Sequence, residues 1–377
     1  MDLDFSEEQR ILMKSARDFL AKESPKSFLR DLREDERGFP PQLWPRMVEL
    51  GWPGVIIPEE FEGTGGSFMD LAILMETMGE ACLTGPFFST VVLGSTTILL
   101  AGSKQRKKDL LPRISRGELI LALAQAEPGN WYGSDHISVH ADEDGEDYVI
   151  TGTKHFVENA HIADKIICVA QTGSPDTDNP ELTLFLVDRN SPGVSIRPFK
   201  TLAYEKQCEV VFDSVRVGKD DMLGEPGKAG PILKAVEERA AVAKCAEMVG
   251  AIQSAFSMSV EYAKEREQFG RPIGSFQAIQ HHLANMAVDV DSSRFITYQA
   301  AWKISEGLEA GTEAAMAKAF TSEAAARVTR YSHQIHGAVS FCDEHDLHFY
   351  YRKVKAASVA FGDTEYHLEH IARDLGL

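Results

Sequence analysis

The stretch REQFGRPIGSFQAIQHHLANM (266–286) turns through Phe269-Gly270 and then enters a helical pattern. Ile279, Leu283, Met286 and Val290 lie four, three and four residues apart, the spacing of one buried stripe on an amphipathic helix. Beyond it, residues 312–335 are rich in alanine and stop at Gly337, a natural helix terminator. From about residue 226 to the end at 377 the period is helical.

Upstream, between about 119 and 225, the period changes. DYVITG (147–152), KIICVA (165–170), LTLFLV (182–187), GVSIRPF (193–199) and CEVVFDSVRV (208–217) are short, rich in Val, Ile and Phe, and separated by turn formers. That spacing predicts an antiparallel barrel or sandwich, with a hairpin turn at Asp144-Gly145. Residues 1–118 read as helices again. Ser6 and Gln9 form a capping-box signature, after which Ile11, Leu12, Ala16, Phe19 and Leu20 fall on one face. Helices are expected near 41–50, ending at Gly51, and over 69–81, 88–102 and 104–116. The expected organisation is α+β: a helical domain (1–118), a β domain (119–225) and a C-terminal helical bundle (226–377).

Composition narrows the function. The formal net charge of -18 and pI of about 5.1 argue against nucleic acid or an anionic membrane surface as partner. No apolar run reaches the roughly 20 residues of a membrane span, and the acidic amino terminus does not read as a signal peptide, so the expected location is cytoplasmic. Cys82, Cys168, Cys208, Cys245 and Cys342 are scattered, with no CxxC pair, and read as small buried hydrophobes rather than disulfides or zinc ligands. The pairs His333-x-x-His336, His345-x-x-His348 and His367-x-x-His370 have helical metal spacing but no further ligand set. They are read as surface or cofactor-adjacent residues, with no metal.

The segment 266–286 resembles the flavin-binding signature of the acyl-CoA dehydrogenases, in which Arg-x-x-Phe-Gly leads into a helix beginning Phe-Gln-x-x-Gln. LGWPGVIIPEEFEGTGG (50–66), AEPGNWYGSD (126–135, two residues longer than usual), TGTKHFVENAHIAD (151–164) and QIHGA (334–338) resemble family segments in the same order. The resemblance implies FAD, held by Gln125, Ala126, Ser134, Phe156 (where the family usually has Trp), Val157, Glu158, Arg266, Phe269, Phe276, Gln277, Gln334, His336, Gly337, Ala338, Asp363 and Glu365. The chemistry agrees: a guanidinium such as Arg266 offers a permanently charged fork to a pyrophosphate, and Gly337 admits close backbone approach. Ser134, Phe361, Gly362 and Arg373 are implied at the acyl substrate. The family also implies an electron-transferring flavoprotein as partner and a homo- or heterotetramer, because the segments at Arg266 and 334–338 reach a neighbouring subunit's FAD.

Such an enzyme removes an α-proton from an acyl-CoA thioester while the β-hydrogen leaves as hydride, and the proton needs a carboxylate. The family's usual carboxy-terminal glutamate position is Phe361 here, and its alternative on the preceding long helix is Ala240. Glu247, seven residues on and roughly on the same face, is the replacement base expected from sequence, against a plain Lys244–Glu247 ion pair. Glu238 reads as a solvated helix-start charge, and Glu158 is a further departure from the family pattern. Two other readings stay open: a base-less FAD-binding subunit of an α2β2 assembly, and a flavin monooxygenase or oxidase on the same scaffold.

Overall fold

The computed structural model describes residues 5–33, 35–133, 137–173 and 181–377. Along the chain run helices α1 (Glu7–Glu23), α2 (Lys26–Asp31), α3 (Leu43–Glu49) and α4 (Phe68–Ala81), a π-helical segment Phe88–Ser95, then α5 (Thr96–Ala101) and α6 (Lys104–Ser115). Strands follow: β1 (Leu121–Ala124), β2 (His140–Asp144), β3 (Asp147–Glu158), β4 (Lys165–Gln171), β5 (Leu182–Asp188), β6 (Val194–Pro198), β7 (Gln207–Gly218) and β8 (Met222–Leu223). The helix α7 (Ala229–Glu265) leads through a small hairpin, β9 (Glu267–Gln268) and β10 (Arg271–Pro272), to α8 (Gln277–Ser305), α9 (Gly311–His336), α10 (Leu347–Val359) and α11 (Thr364–Asp374). The expected succession of helices, strands and helices is what the structure has.

These elements form two compact units. One is gathered from three separate stretches, Met1–Arg30, Phe68–Leu83 and Ala241–Leu377; the other comprises Asp31–Ser67 and Thr84–Ala240.

In the first unit, the Ser6–Gln9 capping box starts α1, with the Gln9 amide 3.1 Å from Ser6 Oγ. Ala16 and Leu20 face inward, but Ile11 is 61% exposed and does not join that face. It lies nine residues before Leu20, which at about 100° per residue is half a turn away. Helices α4 and α7 cross with their backbones in contact. A Cβ on Gly79 would lie 2.0 Å from the Glu247 carbonyl oxygen, and one on Gly250 would lie 1.9 Å from that of Glu76. Only glycine fits at either place. The carboxylate of Glu76, fully buried, accepts from Arg294 Nη2 at 3.0 Å and Tyr298 Oη at 2.8 Å, which offsets its desolvation. On α8 the expected stripe is deepest at Met286 and Val290; Ile279 and Leu283, nearer the helix start, are half-buried.

The second unit carries a sheet in the order β6-β7-β3-β2-β4-β5-β8, with β1 also on β4. Its pairings are mostly antiparallel, but β1 runs parallel to β4. Asp144 pairs with Asp147, closing the expected hairpin at Gly145. Ile150, Val157, Ile166, Phe185, Val210 and Phe212 point into one core. Cys82, Cys168, Cys208 and Cys245 are buried as expected, whereas Cys342 is exposed.

Candidate active site

In the β-rich unit the site begins where β3 leaves its ladder. Lys154 pairs with Val210 and Val157 with Cys208, so the β3 side holds one extra residue, a β-bulge. Phe156 stands in that bulge at φ +54° and is 44% exposed. Bulges re-aim side chains beside functional sites, and a phenylalanine in the left-handed region is strained. Val157, the next residue, faces the core and offers a cofactor only its backbone. Glu158 is buried.

Lys154 is fully buried and fixes the adjoining loop from within. Its Nζ donates to the Gln125 carbonyl at 3.0 Å and to Glu127 Oε1 at 2.7 Å. Glu127 also accepts from the Ser138 amide at 2.7 Å and the Val139 amide at 3.0 Å. Burial pushes its carboxyl up, but Lys154, Ser138 and Val139 together hold it below the usual carboxylate range. The Ala126 carbonyl accepts from the His155 amide at 2.8 Å. Gln125 and Ala126 are thereby pinned beside Phe156. The Gln125 side-chain amide donates to Glu237 Oε1, from α7, and to the Gly133 carbonyl at 3.3 Å. Glu237 was not singled out in the sequence. The signal was present, since it lies three residues before Ala240 and shares its helix face. Ser134 lies outside the described residues.

In the helical unit the Arg-x-x-Phe-Gly segment forms the β9–β10 hairpin. Phe269 and Gly270, at φ +56° and +78°, are its two central turn residues, a primed turn. Phe269 projects from the tip, 93% exposed, and the Arg271 guanidinium sits 4.2 Å from the Phe276 ring centre. Arg266 and Gln277 are exposed, and among the described residues no carboxylate pairs with Arg266. At the end of α9, Gln334, Gly337 and Ala338 are exposed. Gly337 has φ +65° and ψ -145°, with open space where a Cβ would point. His336 turns inward, its ring stacked on Tyr262 at 4.4 Å and its Nδ1 donating to the Ser332 carbonyl at 2.8 Å.

The turn Ala360-Phe361-Gly362-Asp363 is held from beneath. Buried Lys318 donates to the Gly362 carbonyl at 2.7 Å and the Ser358 carbonyl at 3.0 Å. His367 Nε2 donates to the Phe361 carbonyl at 2.8 Å, and Asp363 caps α11 through the Tyr366 amide at 2.9 Å. Phe361 has φ +54°. Three of the singled-out phenylalanines, 156, 269 and 361, therefore hold left-handed backbone, as strained positions at functional sites do. Glu365 and Arg373 are exposed on α11, Arg373 being 3.5 Å from Glu369.

Glu247 does not have the environment of a base. It is buried, with Lys244 Nζ 3.0 Å from Oε2 and Lys353 Nζ 2.9 Å from Oε1, and Lys353 also bonds the Leu83 carbonyl at 2.6 Å. Burial alone would raise its pKa, but the two ammoniums hold it at about 2. Two ammonium partners weaken a carboxylate as a base. The Lys244 pair expected as the alternative is present, enlarged by Lys353 from α10. The histidines, too, differ from a surface reading: His333, His336, His348 and His367 are buried. Burial lowers His333 and His367 to about 4. Among the described residues no group of three or more His, Cys, Asp or Glu forms a metal site.

Each unit by itself carries groups that suit a dinucleotide: in the helical unit the exposed Arg266 guanidinium, Gly337 in a glycine-only conformation facing open space and the strained, exposed Phe269, and in the β-rich unit the strained, exposed Phe156. Comparison with known proteins agrees. The acyl-CoA dehydrogenase N-terminal, middle and C-terminal domain models match residues 6–118, 122–215 and 235–376. A probable acyl-CoA dehydrogenase, YngJ, of Bacillus subtilis is 32% identical over 100% of both chains. An acryloyl-CoA reductase (NADH) of Anaerotignum propionicum is 30% identical, over 100% of this chain and 96% of its own. Among solved structures, a chain from work on the electron transferring flavoprotein of Acidaminococcus fermentans superposes with TM-score 0.93 at 26% identity, covering 100% and 99% of the two chains. One from the ChsE4-ChsE5 complex of Mycobacterium tuberculosis gives 0.90 at 26% identity, covering 100% and 99%. The chain belongs to the acyl-CoA dehydrogenase family. It is an FAD-dependent oxidoreductase acting on CH–CH bonds. Among the described residues no helix is long and apolar enough to cross a membrane.

Proposed function

We propose that the protein carries out α,β-dehydrogenation of an acyl-CoA thioester with Glu237 as its base, passing electrons to an electron-transferring flavoprotein. The supporting observation is the hydrogen bond between Glu237 and Gln125. It puts a half-buried carboxylate, one helical turn before the vacant Ala240 position, on a residue assigned to the flavin. Glu237 takes the α-proton, and the carbon electron pair released forms the double bond as the β-hydrogen departs with its own pair. Bound FAD supplies the hydride acceptor. Gln125 orients the carboxylate, and Lys154 with Glu127 holds the Gln125 backbone in place. Arg266, Gly337 and Ala338 are assigned to the phosphates, Phe156, Phe269 and Phe276 to the rings. The turn at Phe361-Gly362 and Ser134 are assigned to the acyl group. Phe269 and Phe341, 93% and 74% exposed, support an assembly in which a neighbouring subunit covers them.

The test is anaerobic titration of the purified flavoprotein with a panel of acyl-CoAs. Bleaching of the flavin band by at least one thioester is expected. A protein that binds FAD but is bleached by none of the panel rejects the reading. A second reading is favoured by Phe361 and Ala240 at both usual base positions: a base-less subunit of a heterotetramer. A stable homo-oligomer bleached by acyl-CoA removes it.

A further inference from the structure

The loop that runs two residues longer than in the family carries Trp131, 60% exposed. Its position is fixed by the loop's own turn. The Glu127 amide meets the Asn130 carbonyl at 2.9 Å and the Asn130 amide meets the Glu127 carbonyl at 3.1 Å, with Gly129 at φ +84° between them. The Glu127 side chain anchors that turn to Lys154. Trp131 is the first residue out of it. Its indole lies edge-on to Phe156, with ring centres 6.1 Å apart and planes at 85°. Phe156 in turn contacts Phe199, with ring centres at 5.7 Å. An exposed indole and an exposed phenyl meeting at a strained bulge leave apolar faces bare, which a free protein surface gains nothing by keeping.

We propose that Trp131 is a flavin-contacting residue: the loop extension returns an indole to the wall from which Phe156 has lost one. The inference rests on FAD binding at Phe156, and it commits to the isoalloxazine ring, not the acyl group, as what Trp131 touches.

Trp131→Phe and Trp131→Ala decide it. An indole in contact with an excited flavin quenches it by passing an electron that then returns, and a phenyl ring cannot. Flavin emission of the Trp131→Phe holoenzyme is therefore expected to rise above wild type. Trp131→Ala is expected to bind FAD about 3- to 10-fold more weakly, the size of one edge-to-face aromatic contact. The apo proteins should melt together, because the side chain is exposed. Unchanged emission in Trp131→Phe together with unchanged FAD affinity in Trp131→Ala overturns the inference, as does an emission difference that appears only after acyl-CoA is added. Wild-type protein that takes up no FAD at all rejects the flavin site itself, and the inference with it.

Discussion

Glu237 and Glu247 sit ten residues apart on α7 in different surroundings. Glu247 is buried between two lysines, its charge fully answered and its pKa near 2. Glu237 is half-buried and accepts from the side-chain amide of Gln125. Cations packed around a carboxylate stabilise its charged form and so weaken it as a base, whereas a hydrogen bond from a neutral amide orients a carboxylate without adding a charge beside it. Apolar neighbours in sequence, AAVAKCAEMVGAI (240–252), gave Glu247 the look of a base.

The sharpest break of this contrast is Glu237→Gln. We expect FAD to remain bound while the rate of flavin bleaching by acyl-CoA falls about 10²- to 10⁴-fold, the usual contribution of a positioned base. Bleaching at the wild-type rate in stopped-flow would place the base elsewhere. Glu247→Gln should do the reverse. It leaves two buried ammoniums without an anion and costs about 3–5 kcal/mol of stability, read by denaturant unfolding, with the bleaching rate per bound FAD retained. A folded, stable variant that no longer bleaches would restore Glu247 to the mechanism. Gly337→Ala is a milder probe of the helical part of the site. Nothing lies within 4 Å of the new Cβ, so only the φ +65° backbone is strained, by about 1–3 kcal/mol. FAD affinity measured by ultrafiltration should fall with it. A further effect is in pH. His333 and His367 have folded pKa values near 4, below the ordinary 6.5. Between those values the unfolded chain takes protons the folded one refuses, so stability is full above about 6.5 and declines as pH falls. A melting temperature flat between pH 7.5 and 5 would show these rings to be solvated.

The fold was legible because its signals are local. The alternation in β3 and β7, the Ser6 cap, the Phe269-Gly270 turn and the stop at Gly337 each lie within a few residues of their cause. The site was legible only in outline. Lys353, which neutralises Glu247, is 106 residues away, and Gln125, which picks out Glu237, is 112 residues from it. Periodicity along one helix shows which residues share a face and cannot show what that face meets. The burial of His333, His336, His348 and His367 has the same cause: spacing places their rings on a helix, and burial comes from other elements.

The helical unit closes only when chain from both ends has been made. Helix α4 ends at Ala81, while its backbone partner in α7 lies beyond Ala241. At synthesis rates of about 5–20 residues per second, the apolar faces of α1 and α4 wait on the order of 10–30 s on the ribosome before Gly250 can seat against Glu76. During that interval the nascent chain offers chaperones a bare helix pair that the mature protein never shows.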